Sequence, residues 1–171
     1  VLHALDFLDQ GFEADAALVA VGSDALIIDP QGDTLCPGAT PSTHEQIDAV
    51  LMSARGGWHI FSPSVMMRTD AVRRVGGYRN NYLNSEDAEL FLRLGEIGRL
   101  TNLPQRLLSY RVHLGSGSHT GTVVQRQSGW RAACEAAQRR GVAEPAPPSP
   151  SDVSDMASNP ARTHLMWAWW A

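Results

Sequence analysis

Two neighbouring carboxylates, Glu86-Asp87, stand where the loop after Gly76-Gly77-Tyr78 enters a helix, and further on Tyr110-Arg-Val-His113 closes a strand. The acidic pair has two readings. Orphan N–H groups and the positive end of the dipole favour Asp and Glu in any first helical turn, so ordinary capping explains it. A positioned carboxylate is also a proton acceptor, which makes the pair a candidate for general-base chemistry. At the strand end, alternation puts Arg111 and His113 on one side and Tyr110 and Val112 on the other, so a cation and an imidazole would face one cleft. Other catalytic templates fail. Gly115-Ser116-Gly117-Ser118 does not match the Gly-x-Ser-x-Gly elbow, and His113 and His119 lack the helical spacing and partner Glu of a zinc hydrolase. Every cationic side chain is Arg, which excludes Schiff-base lysine chemistry and a P-loop lysine.

The elements that would position these residues follow from pattern and punctuation. Leu2, Leu5 and Leu8 or Phe7 recur at helical spacing. Ala17 to Gly22 and Ala25 to Asp29 read as two short buried strands, and Asp29-Pro-Gln-Gly32 as a tight turn of a hairpin or strand–turn unit. Ser42 and Glu45 form a capping box for a helix from about Thr43 to Ala54, ended by Gly56-Gly57. Val65 to Met67 reads as a strand, and Thr69 caps a short helix carrying Ala71, Val72 and Val75 that stops at Gly76-Gly77. The helix Asn84 to Gly98, capped by Asn84 or Ser85, carries Leu90, Phe91, Leu94 and Ile97 as an apolar stripe. Glu89, Arg93 and Glu96 fall on its predicted solvent side, so Glu89→Gln is expected to be nearly silent. Strands Arg99 to Leu103 and Leu107 to Val112 follow across a Pro-containing turn, then a polar loop from Gly115 to Thr122 and a helix that stops at Gly141. The expected organisation is a globular unit over 1–141, a Pro/Ser-rich linker over 142–160 and the start of a further helix over 161–171.

With 171 residues, 43% of them hydrophobic and 19% charged, the chain is sized for one modest core. A net charge of −4 with scattered Arg residues argues against nucleic acid as a partner. Cys36 and Cys134 lie far apart without metal or redox spacing, which suits a reducing compartment. No apolar run reaches the roughly 20 residues needed to span a bilayer, and no signal peptide is visible at the start. The expected location is the cytoplasm, including the inner face of the membrane.

Ser64-Val-Met-Met-Arg68, Gly76-Gly77-Tyr78, Glu86-Asp87, Asn102-Leu-Pro104 and Tyr110-Arg-Val-His113, in this order and spacing, resemble the second half of a family 2 glycosyltransferase of the GT-A type. The resemblance runs from near Leu2 to about Ala137. It implies an α/β fold, the C-terminal half of a Rossmann-like nucleotide-diphospho-sugar transferase domain with a mixed sheet flanked by helices. The nucleotide-binding strands and Asp-x-Asp element of the first half have no counterpart in these residues. In such enzymes the acidic pair floors the acceptor site, which makes Asp87 the candidate catalytic base and Glu86, Tyr78 and Gly77 candidate acceptor contacts. Arg111 and Ser116 are then candidates for the diphosphate, and His113 for a divalent Mg²⁺ or Mn²⁺ ion. The implied partners are a nucleotide-sugar donor and a carbohydrate or glycolipid acceptor, in polysaccharide, cell-wall or glycoconjugate synthesis, with inversion at the anomeric carbon. Relatives carry His-Pro-Ser where this chain has Ser62-Pro63-Ser64, with His59 three residues earlier. The alternative from another class is a non-catalytic carbohydrate-binding or scaffold module.

Overall fold

The computed structural model describes residues 2–115 and 122–149. The chain runs α1 (Leu2–Ala14), β1 (Leu18–Ile28), β2 (Thr34–Pro37), α2 (His44–Ser53), a 3₁₀ turn (Ser62–Ser64), β3 (Met66–Met67), α3 (Thr69–Arg74), α4 (Glu86–Gly95), β4 (Arg99–Arg111) and α5 (Thr122–Arg140). It is a mixed α/β arrangement in which helices flank a mixed sheet.

β1 organises the sheet. It pairs antiparallel with β2 through Leu26 to Ile28 and with β3 through Ala20 and Val21, and parallel with β4 along its whole length. The two short strands expected at 17–22 and 25–29 are one. The polar residues between them do not break it because each is accommodated. Gly22 leaves space for the Asn102 side chain, since a Cβ there would lie 2.2 Å from Asn102 Oδ1. The Ser23 amide donates to Ser64 Oγ at 3.4 Å, and Thr40 Oγ1 donates to Asp24 Oδ1 at 3.5 Å. The two strands expected at 99–103 and 107–112 also merge. Pro104, which has no amide hydrogen, sits at a bulge where the register steps from Ser23 opposite Leu103 to Asp24 opposite Arg106, so the ladder loses no donor it needs. The expected tight turn closes the β1–β2 hairpin. Asp29 Oδ1 accepts from the amides of Gln31, Gly32 and Asp33 at 2.8–2.9 Å, and Gly32 takes a φ of +101°.

The capping box of α2 is one residue later than expected. Thr43, extended at φ −101°, is the N-cap and exchanges bonds with Gln46, so Ser42 and Glu45 are not the pair. Ala54, at φ +53°, closes the helix before Gly56-Gly57 is reached. Arg68, not Thr69, is the N-cap of α3. α5 ends in a Schellman turn at Gly141 (φ +66°), where Val142 N–H donates to Ala137 O at 3.0 Å. Residues 142–149 form no helix or strand.

α1 covers one face of the sheet, packing Leu8 and Phe12 on Leu18 and Val21. On the other face Ile47 and Leu51 of α2, Leu90, Phe91 and Leu94 of α4 and Ala132, Ala133 and Ala136 of α5 enclose Val19, Ala20 and Leu100. Each large side chain fully buried there contributes about 1.5–3 kcal/mol. Of the polar stripe of α4 only Glu96 is exposed. Glu89 and Arg93 are 2% and 4% exposed, because the residues around Gly76-Gly77 and Arg79 close over them. Arg93 Nε donates to Glu89 Oε1 at 2.6 Å and Nη2 to Gly77 O at 2.7 Å, Nη1 donates to Val75 O, and Arg79 joins Glu89 at 3.2 Å. Among the described residues no helix is long and apolar enough to cross a membrane.

Candidate functional site

A cavity of about 580 Å³ opens between the 56–63 segment, the first turn of α4, the start of α5 and the end of β4. Asp87 stands in its wall. The backbone amide of Ala88 donates to Asp87 Oδ1 at 2.7 Å, and Ser62 Oγ donates to Oδ2 at 2.6 Å, so the carboxylate is fixed from both sides. Each oxygen keeps a second lone pair for a further donor. Ser85, the N-cap, makes no capping bond of its own. Its hydroxyl donates instead to Gln125 O at 2.8 Å, tying the start of α4 to α5.

The segment carrying Ser62 is itself anchored. Asn102 Nδ2 on β4 donates to His59 O at 2.6 Å and to Pro41 O at 2.7 Å. His59 is packed edge-on against Phe91 with ring centroids 5.8 Å apart, and its Nδ1 accepts from the Ile60 amide at 2.8 Å. Burial pushes the His59 pKa below its ordinary value, and the nearby Asp87 charge offsets only part of that shift. The neutral ring therefore carries its proton on Nε2. Trp58, Phe61 and Tyr110 form a run of aromatic rings along the cavity, with centroids 5.6 Å and 5.3 Å apart.

Of the expected acceptor-site residues only Asp87 lines the cavity; Glu86, in the same first turn of α4, is exposed, and Tyr78 and Gly77 lie outside the cavity lining. The Tyr78 hydroxyl is held above its ordinary pKa first by burial and then by the charges of Asp87 and Glu86. Its ring remains 51% exposed. Gly77, at φ +68°, has open space where a Cβ would stand, and its carbonyl is engaged by Arg93. Its requirement is conformational.

Arg111 and His113 share a face, as alternation predicts, but the cavity is lined by the other face, Tyr110 and Val112. Arg111 Nη1 donates to Asp29 O and Pro30 O at 2.8 Å each, bracing the hairpin turn. Among the described residues no three His, Cys, Asp or Glu side chains gather where a metal ion could be held. His113 on its own does not make such a site. Ser116 lies outside the described residues, as do residues 150–171, which hold most of the expected linker and the final helix.

Sequence reasoning missed Ser62 and Arg126 at this cavity. Ser62 was visible only as a departure from His-Pro-Ser. Arg126 gave no signal, because its place depends on how α5 docks against α4. No family model matches the chain, and no curated protein matches it.

Proposed function

We propose that residues 1–141 form the acceptor side of an inverting, family 2 GT-A-type glycosyltransferase, with Asp87 as the general base. The observation that carries the reading is the Asp87 carboxylate, held by Ser62 and the Ala88 amide at the wall of an aromatic-lined cavity. The reaction asks little more of the protein at this end. As the donor's anomeric carbon gains oxocarbenium character, the acceptor hydroxyl becomes acidic. Its oxygen bonds to that carbon, the bond from the carbon to the diphosphate oxygen breaks, and the hydroxyl proton passes to Asp87. Ser62 keeps the accepting carboxylate aimed, while Trp58 and Tyr110 offer apolar ring faces to a sugar.

A divalent ion would stabilise the departing diphosphate. His113 fits such an ion only with ligands from beyond the described residues, and no step above depends on it.

The test is Asp87→Asn in the protein carrying a donor-binding half. Turnover is expected to fall roughly 10²–10⁴-fold with acceptor affinity nearly unchanged. Near-normal turnover at saturating donor and acceptor would remove the base and leave the acidic pair as a helix cap. The binding-module reading draws support from the same run of aromatic rings. It requires that the natural protein turn over no nucleotide sugar at all.

A further inference from the structure

Among the described residues Arg126 is the cation that lines the cavity without a counter-ion. It lies near the start of α5, immediately after Gln125, whose carbonyl is bonded by Ser85, so its backbone is tied to the element that presents Asp87. Its guanidinium lies directly on Gly56. A Cβ at that position would fall 2.8 Å from Nη1 and 2.9 Å from Cζ, so the glycine leaves the place that the guanidinium fills. The other arginines that are half-buried or deeper have partners. Arg93, Arg139 and Arg140 meet carboxylates, and Arg68 donates to the carbonyls of Leu18 and Phe12. Arg126 has neither a carboxylate nor a carbonyl partner among the described residues, and it lines the same cavity as Trp58, Asp87 and Tyr110.

A half-buried guanidinium has its hydration reduced, and its planar fork of donors fits a carboxylate or phosphate in two parallel bonds. The vicinal hydroxyls of a neutral sugar can accept the same two bonds, but without the charge that makes them about twice as strong. We propose that the cavity takes a saccharide bearing an oxyanion, a sugar carboxylate or a sugar phosphate, with the anion on Arg126, the ring against the aromatic side chains and a hydroxyl turned to Asp87. The inference rests on the acceptor reading above and narrows it to an anionic acceptor.

The experiment is titration of the 171-residue chain, followed by NMR, with glucuronic acid, glucose 6-phosphate, glucose and inorganic phosphate. The two anionic sugars are expected to bind at least about tenfold more tightly than glucose. Arg126→Gln should bring them down to the glucose level, and Arg126→Lys should keep part of the preference, which separates charge from fold. Glucose binding that matches the anionic sugars and is unmoved by Arg126→Gln, yet weakened by Tyr110→Ala, overturns this proposal and leaves the acceptor reading standing. Inorganic phosphate binding as tightly as glucose 6-phosphate also overturns it, because the site would then hold an anion without a sugar. Failure of every saccharide to bind overturns both readings.

Discussion

Glu89 and Arg93 show how much one side chain carries in this molecule. Both lie in the interior, and Arg93 spends its donors on Glu89 and on the carbonyls of Val75 and Gly77, the backbone that leads directly into Tyr78. Removing one member of a buried pair leaves the other charge uncompensated. Glu89→Gln is therefore expected to destabilise the chain by about 3 kcal/mol in urea unfolding, where a solvent-facing residue would have given almost nothing. Unchanged stability would show that Arg79 and the two carbonyls suffice for Arg93. Ser62→Ala belongs to the same scale. It removes the donor to Asp87 Oδ2, and under the proposed base role of Asp87 the loss should appear in turnover more than in acceptor affinity, because the aim of the carboxylate would matter only when the proton moves.

At the scale of elements, close approach sets the constraints. Gly22 lies where β1 meets the Asn102 side chain, and a methyl group there would stand 2.2 Å from Asn102 Oδ1 and 2.7 Å from Ile60 Cγ2. Gly22→Ala must displace the asparagine that holds the His59 and Pro41 carbonyls, so a loss of about 2–3 kcal/mol and a looser 58–62 segment are expected, measured by denaturation and by amide exchange. The end of α2 predicts the opposite sign. Ala54 is left-handed at φ +53°, a conformation glycine adopts without a Cβ penalty, so Ala54→Gly should raise stability by about 0.5–1 kcal/mol. A decrease would mean that the methyl group's packing outweighs the backbone strain.

Across the whole molecule, pH and sheet edges decide the behaviour. His59 has a folded-state pKa below its ordinary value of about 6.5, mainly through burial. The unfolded chain therefore takes up the proton first. Its contribution to stability is complete above about pH 6.5 and is lost progressively as pH falls below it. Urea midpoints measured from pH 7.5 down to 5.5 should drop, and His59→Gln should flatten the slope. β4 pairs only with β1, so its outer edge has no strand partner among the described residues, although Arg99, Arg106 and Arg111 lie along the strand. The 171-residue chain is expected to associate or to unfold early in denaturant. A sharp transition of a stable monomer in sedimentation would show that the edge is protected by other means.

Local patterns determined the elements. Apolar runs, caps and glycine stops placed α2 and α3 within a residue or two, whereas α1 runs on to Ala14 and α4 stops three residues short of Gly98. They also identified the β1–β2 turn, because those signals act between neighbours in the chain. The place of Glu86 and Asp87 in one first helical turn was legible for the same reason. What the sequence could not fix came from contacts between distant segments. Ser23-Asp24 and Pro104 read locally as breaks, and only pairing of β1 with β4 made them a continuous strand and a bulge. Glu89 and Arg93 read as a solvent face until the 75–79 backbone covered them. The cavity joins residues from the 56–63 segment, α4, α5 and β4, and Arg126 enters it through the docking of α5, which Ser85 ties to the start of α4 and Arg139 and Arg140 tie to Glu96 and Asp48. Spacing along a chain specifies which residues share an element, whereas the contacts between elements decide which of them share a site.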